Sequence, residues 1–435
     1  LKADLGYALI TLGSTTLWAV SNGWLLYFYL PPEGGARVPV ASYGLVMFAL
    51  YVLHAIVAPP IGYLSDHTRS RWGRRLPFMF LATPPSLVFF VLLWTPPTRG
   101  TSAWNLVYLG IVALLYRLTF SLHQIPYQAL LPELALTERH RTRVSAWYAG
   151  FQLAGMVLGG LAGPIIENLG YAKATLIYAS VMLPVLYLPL FVLRERPGRQ
   201  IAASERLDFW HSLSITLRNR AFLFFITART LCWSALTLIQ MTIPFIVTEI
   251  CRLSKSDTMY FFIPAVLTSL VCYPVVTWLS GRVGKWAVFA GSLLASALVL
   301  PGLMFIGDWF PAPLPVQGLL WIVLQAIGAS GFAVLQPAFM AEIADDDERL
   351  TGQRREGTYY AAWRLLDHVV TGAASALLPL LLLLGRGHSD PHGPLGVRLV
   401  GVVGGILTLA ALALFLRYPL RQRRGDAALA WVAKE

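Results

Sequence analysis

About twelve apolar stretches, each close to the roughly 20 residues that carry a helix across a bilayer, follow one another down this chain. Short connections rich in arginine, glycine and proline separate them. Inside hydrocarbon every backbone N–H and C=O must be satisfied within the protein, which leaves helices or closed barrels. Stretches this long and continuous select helices. The expected fold is all-α: a membrane protein of about twelve transmembrane helices in two six-helix bundles.

The spans fall at about Leu5 to Leu30, Ala41 to Leu64, Phe78 to Leu93, Trp104 to Leu131 and Val144 to Ile166, with a sixth ending near Leu193. Six more lie near 221–248, 258–280, 287–307, 317–343, 357–384 and 396–417, each about the length a bilayer needs. A polar stretch of mixed charge at 194–220 is too long for a tight turn and divides the chain. The expected domains are an N-terminal bundle (1–193), a cytoplasmic linker (194–220), a C-terminal bundle (221–417) and a cytoplasmic tail (418–435). Span five is rich in small residues, Ala154, Gly155, Gly159, Gly160, Ala162 and Gly163, which let helices approach closely.

Composition agrees: 56% of the residues are hydrophobic, 13% are charged, and mean hydropathy is +0.61. The net charge of +12 does not point to nucleic acid. Its arginines lie in the connections, where they set topology and meet anionic headgroups of the lipid bilayer. The basic turn after span two and the basic tail from Arg417 to Arg424 place both termini in the cytoplasm, in a multi-pass cell-membrane protein. Cys232, Cys251 and Cys272 follow no metal-ligand spacing and form no disulfide framework. No cofactor and no metal are expected. A cleavable signal peptide is not visible, and opening on Leu1 rather than Met is what a chain lacking its extreme N-terminus would show.

The turn between spans two and three reads GYLSDHTRSRWGRRLP, from Gly62 to Pro77. Gly73 permits a sharp turn, and Asp66 stands where it can pair with Arg74 or Arg75. A reduced echo follows span eight, from Leu279 to Lys285. The end of span four, Gln124 to Tyr127 with Glu133, is likewise echoed at the end of span ten by Gln336 to Phe339 with Glu342. Matching marks in two halves suit a transporter built from repeats.

That turn resembles the loop after the second helix in the major facilitator superfamily. With IPYQALLPEL (Ile125 to Leu134) and GQRREGTYYAAW (Gly352 to Trp363) it is similar, more narrowly, to the glycoside–pentoside–hexuronide:cation symporter family. All three stretches fall at the expected places along nearly the full chain. The resemblance implies a secondary transporter with alternating access, a small-molecule substrate and a monomeric state. It makes Asp66, Gly73, Arg74 and Arg75 a gating group.

Ionisable residues within spans are costly and usually face a cavity or a partner. Here they are His54, Arg117, His123, Arg229, Arg364, Asp367 and His368. Arg117, Ser121 and Gln124 share one helical face, and Trp18 and Asn22 share another. The expected substrate-lining set is Trp18, Asn22, Arg117, Gln124, Tyr148, Arg229, Gln336 and Trp363.

The family's sodium-coupled sugar symporters hold the cation and grip the sugar with carboxylates on helices one, two and four. Aligned on the shared stretches, those positions fall near Thr15, on His54 and Ala58, and on Gln124, and the eleventh-helix lysine falls on His368. Sodium wants several oxygen ligands, preferably anionic. Its loss leaves the proton as the expected coupling ion, carried by His54, Asp367 and His368, and more buried cation than anion, which suits an anionic or zwitterionic solute. Other readings stay open: Arg229 paired with Asp367 as structure, a facilitative uniporter, a lysophospholipid-type carrier, a non-transporting sensor, or a membrane enzyme using Asp66, His67 and His140.

Overall fold

The computed structural model describes residues 2–32, 34–68, 70–134, 138–193, 216–351, 356–385 and 394–419. Most of the expected linker and of the tail lie outside these residues. So do residues 352–355, at the start of the third family stretch.

Among the described residues there are helices and no strands. The helices are α1 (Lys2–Tyr29), α2 (Val40–His67), α3 (Leu76–Leu92), α4 (Ala103–Ala129), α5 (Glu138–Gly160), α6 (Ala162–Leu169) and α7 (Tyr171–Val192). There follow α8 (Arg220–Phe245), α9 (Met259–Val283), α10 (Lys285–Val299), α11 (Leu314–Thr351), α12 (Glu356–Leu382) and α13 (Leu395–Leu416). One-turn helices, such as Leu131–Leu134, are left unnumbered. With α5 and α6 counted as one broken span, these correspond to the twelve expected stretches.

Ten of the spans are long and apolar enough to cross a membrane by length and composition. The two others have physical reasons to differ. Helix α3 has 17 residues, a proline in its first turn and Pro84 and Pro85 inside. Proline is well placed at a helix start, where its missing N–H costs nothing. Helix α1 has 28 residues but carries a run of hydroxyls. They are satisfied locally: Ser14 Oγ donates to the Ile10 carbonyl at 2.8 Å, Thr16 Oγ1 to Leu12 at 2.7 Å, and Ser21 Oγ to Leu17 at 2.7 Å. A hydroxyl that bonds back one turn can enter hydrocarbon at little cost.

By packing, the chain forms two compact units. The first comprises Leu1–Gln200 together with Gln240–Val266 and Ser375–Val397. Its tightest seam is α1 against α5, where the small residues of span five lie. A Cβ on Gly155 would come 2.7 Å from the Leu12 carbonyl oxygen, and one on Gly159 would overlap the Ala19 Cβ. The two later segments join this unit through similar close approaches: Gly160 lies on Phe262, Gly163 on the Lys255 carbonyl, and Gly44 on the Ala376 carbonyl. Glycine is the residue that lets backbones meet at such distances. Gly155→Leu is expected to destabilise the protein by about 1–3 kcal/mol through overpacking. Thermal unfolding in detergent would register this as a lower midpoint, while Gly150→Ala, with nothing within 4 Å of its added Cβ, should leave the midpoint nearly unchanged.

The second unit comprises Ile201–Ile239, Leu267–Ala374 and Arg398–Glu435. Its core is aromatic: Phe225, Phe289, Phe339, Phe415 and Tyr418 are buried together. The Phe289 and Phe415 ring centroids are 4.6 Å apart and tilted, and Phe339 meets Phe415 edge-on at 5.3 Å. Tilted and edge-on arrangements place ring edges against ring faces, the favoured geometry for aromatic pairs. Gly73 and Gly284, at the two echoed turns, have φ of +103° and +86°. Both are left-handed positions that favour glycine.

Candidate functional site

The second unit contains a charged cluster inside the membrane. Arg229, on α8, is 4% exposed, and its Nη1 donates to Asp367 Oδ1 at 2.5 Å. Its Nε donates to Gln336 Oε1 at 2.9 Å. The Trp363 ring lies 4.2 Å from the guanidinium carbon and the Trp233 ring 5.3 Å from it. Helical spacing builds this arrangement: Trp233 is one turn after Arg229, and Trp363 one turn before Asp367. The planar guanidinium can bond at its edge and stack on its face at once, which lysine cannot do. Four of the expected residues, Arg229, Gln336, Trp363 and Asp367, are thus brought together, and the pairing of Arg229 with Asp367 is present. His368 turns to its own helix, with Nδ1 2.7 Å from the Arg364 carbonyl oxygen.

The first unit holds a separate arrangement between α2 and α4. His54 Nε2 is 2.5 Å from Ser121 Oγ, and that hydroxyl donates to the Arg117 carbonyl at 2.7 Å. With its hydrogen so spent, the serine accepts, and the imidazole Nε2–H donates. One turn away, the Arg117 guanidinium carbon stands 4.3 Å from the centroid of the Tyr51 ring. Next along α4, His123 Nδ1 is 2.9 Å from Thr83 Oγ1, deep in the unit. Gln124 is half-buried beside it.

On α1, Asn22 Nδ2 donates to Gln240 Oε1 at 3.4 Å, and Trp18 is half-buried one turn earlier. Tyr148 lies 6.3 Å, ring to ring, from Tyr7, which stacks on Tyr127 at 4.5 Å. At the turn after α2, the Arg75 guanidinium donates to the Ala129 carbonyl at the end of α4. The side chains of Asp66 and His67 lie outside the described residues. His140, which the sequence offered as a hint of catalysis, is instead 2.8 Å from Asp4 Oδ1, and Arg143 holds the other carboxylate oxygen at 2.8 Å. A buried carboxylate at the start of α1 needs such partners, the Arg143 cation and the His140 ring nitrogen, so the helix end accounts for the histidine.

Sequence reasoning did not find Tyr51, Trp233 or Gln240. Trp233 was findable as an aromatic one turn from a mid-span arginine. Tyr51 and Gln240 had no such mark, because their partners lie on other helices. Among the described residues, no group of three or more His, Cys, Asp or Glu side chains could hold a metal ion.

A family model described as MFS/sugar transport protein matches residues 6–422. Similar curated proteins include an uncharacterized symporter of Synechocystis, 26% identical over 82% of this chain and 81% of its own. The glucuronide carrier protein homolog of Escherichia coli is 25% identical over 97% of this chain and 93% of its own. Sodium-dependent lysophosphatidylcholine symporter 1 of Xenopus tropicalis is 23% identical over 89% of this chain and 82% of its own. Among solved structures, a point mutant of the nucleoside transporter NupG superposes with TM-score 0.68 at 12% identity, covering 96% of this chain and all of the other. A bacterial homolog of the lysosomal transporter Spinster gives 0.67 at 12% identity, over 96% and 95%. Those likenesses establish the fold. With the family match running over nearly its full length, the chain belongs to the MFS/sugar transport family, as a member of the glycoside–pentoside–hexuronide:cation symporter type, and is a multi-pass membrane transporter rather than an enzyme.

Proposed function

We propose that this transporter moves a small polar organic solute, a sugar or glycoside or an anionic metabolite, by alternating access, with the proton as coupling ion. The observation that carries the reading is the membrane-buried Arg229–Asp367–Gln336 group walled by Trp363 and Trp233. Polar groups fixed at membrane depth and flanked by aromatic faces suit a hydroxyl-rich solute, whose ring stacks while its hydroxyls bond. The names of similar proteins favour the same class: one is a glucuronide carrier homolog, and another, from Lactiplantibacillus pentosus, an isoprimeverose transporter.

Proton rather than sodium coupling rests on the residues at the cation positions. Thr15, Ala58 and Gln124 offer no carboxylate, and a histidine, the side chain whose charge ordinarily changes near physiological pH, stands at His54. Uptake into proteoliposomes under imposed gradients tests this. Accumulation driven by an inward proton gradient is expected. Accumulation driven by sodium with no effect of pH would refute it, and accumulation under neither gradient would establish a uniporter. The termini face the cytoplasm on this reading. Asp66, Gly73, Arg74 and Arg75 brace the gate on that side, so Asp66→Ala should slow transport several-fold and leave substrate affinity nearly intact, as measured by initial rates beside equilibrium binding.

A further inference from the structure

Among the described residues the buried arginines are spent on partners, whereas one half-buried arginine in mid-span is not. Arg229 is held by Asp367 and Gln336, Arg398 by the Met304 and Ile306 carbonyls, and Arg75 by the Ala129 carbonyl. Arg117 differs. Among the described residues its guanidinium meets the Tyr51 ring face and no carboxylate, and no hydrogen bond from its side chain is found. It sits fourteen residues after Ala103 and twelve before Ala129, at the middle of α4. At ~1.5 Å per residue it is roughly 18 Å from the nearer helix end, beyond what an arginine side chain can snorkel. A cation at that depth is costly unless something neutralises it.

We infer that Arg117 is the docking point for an oxyanion, the carboxylate, sulfonate or phosphate group of the transported solute. The inference rests on the transport reading above and narrows its substrate class. Tyr51 takes one face of the guanidinium and leaves the N–H edge available, which is the edge that binds an oxyanion bidentately. The same two helices are tied one turn further on by His54 and Ser121, so the stacked pair is held by a rigid neighbour. Arg229 cannot fill this role equally well, because its edge is already occupied by Asp367 and Gln336.

The test compares four probes that share a hexose ring, glucose, glucuronate, sulfoquinovose and glucose 6-phosphate, by calorimetric titration of detergent-purified protein. At least one anionic probe should bind wild type more tightly than glucose. Arg117→Ala should weaken that probe by on the order of 30-fold, the worth of a charge-assisted pair, and Arg117→Lys should restore part of it. If Arg117→Ala does not elute as a monodisperse peak, Arg117→Gln carries the same comparison. Displacement of the bound anion by lysophosphatidylglycerol, lost in the same variant, would make a lipid headgroup the source of the oxyanion; no displacement makes it the soluble solute. Equal affinity in wild type and a folded Arg117→Ala overturns the inference, as does wild type that prefers none of the three anions to glucose. Uptake separates this from failure of the transport reading. Unaltered glucose uptake by Arg117→Ala, with no preference for an anion, removes the oxyanion site and keeps the transporter. Binding of an anion through Arg117 with no uptake of any probe keeps the site and removes transport.

Discussion

Arg229→Ala is expected to lower stability by about 3–5 kcal/mol, because it leaves the Asp367 carboxylate in the membrane interior without its cation. Asp367 is only 17% exposed, and Gln336 cannot neutralise it. The loss would exceed what the pair adds to the fold, since burying both charges already costs much of what their attraction returns. The double variant Arg229→Met, Asp367→Leu should therefore recover most of the stability. Thermal unfolding in one detergent gives both numbers. Transport by the double variant then decides the role of the cluster: retained affinity makes the pair structural, and lost affinity in a stable protein makes it part of the substrate site. A double variant no more stable than Arg229→Ala would show that the two residues are not coupled.

The second large effect concerns energy coupling. Under an inward proton gradient, His54→Gln is expected to abolish accumulation of solute above equilibrium while permitting exchange of labelled for unlabelled solute. The reason is stoichiometric. A symporter's loaded carrier reorients with its proton, and exchange needs only that loaded form, whereas net accumulation needs the proton to be released and taken up again. His54 is the candidate carrier because it stands at a cation position of the family and its Nε2 is engaged by Ser121, which fixes the ring between α2 and α4. Proteoliposomes preloaded with solute distinguish the two processes. Loss of exchange together with accumulation would mark His54 as a substrate contact, and unchanged accumulation would exclude it from coupling.

Much of this could be read before any coordinates. The number of spans and their approximate ends followed from apolar length, since hydrocarbon thickness fixes how many residues a helix needs. The glycines at Gly73 and Gly284 marked two turns because the backbone there is left-handed. The small residues of span five marked a close seam, although not its partner. Helix α1, legible as a span by its length, is too polar to qualify as one by hydropathy.

What the sequence alone determined about this protein was its solvent, its helices and the family pattern of its turns, all of which depend on residues near each other in the chain. Which mid-span charges are satisfied was decided only by tertiary structure. Arg117 and Arg229 look alike in the sequence, each an arginine within an apolar stretch. One finds a carboxylate on α12 and an amide on α11; the other finds an aromatic face on α2. Partners separated by 138, 107 and 66 positions leave no periodic trace, because the energy of a buried charge depends on what stands within a few ångströms of it in space.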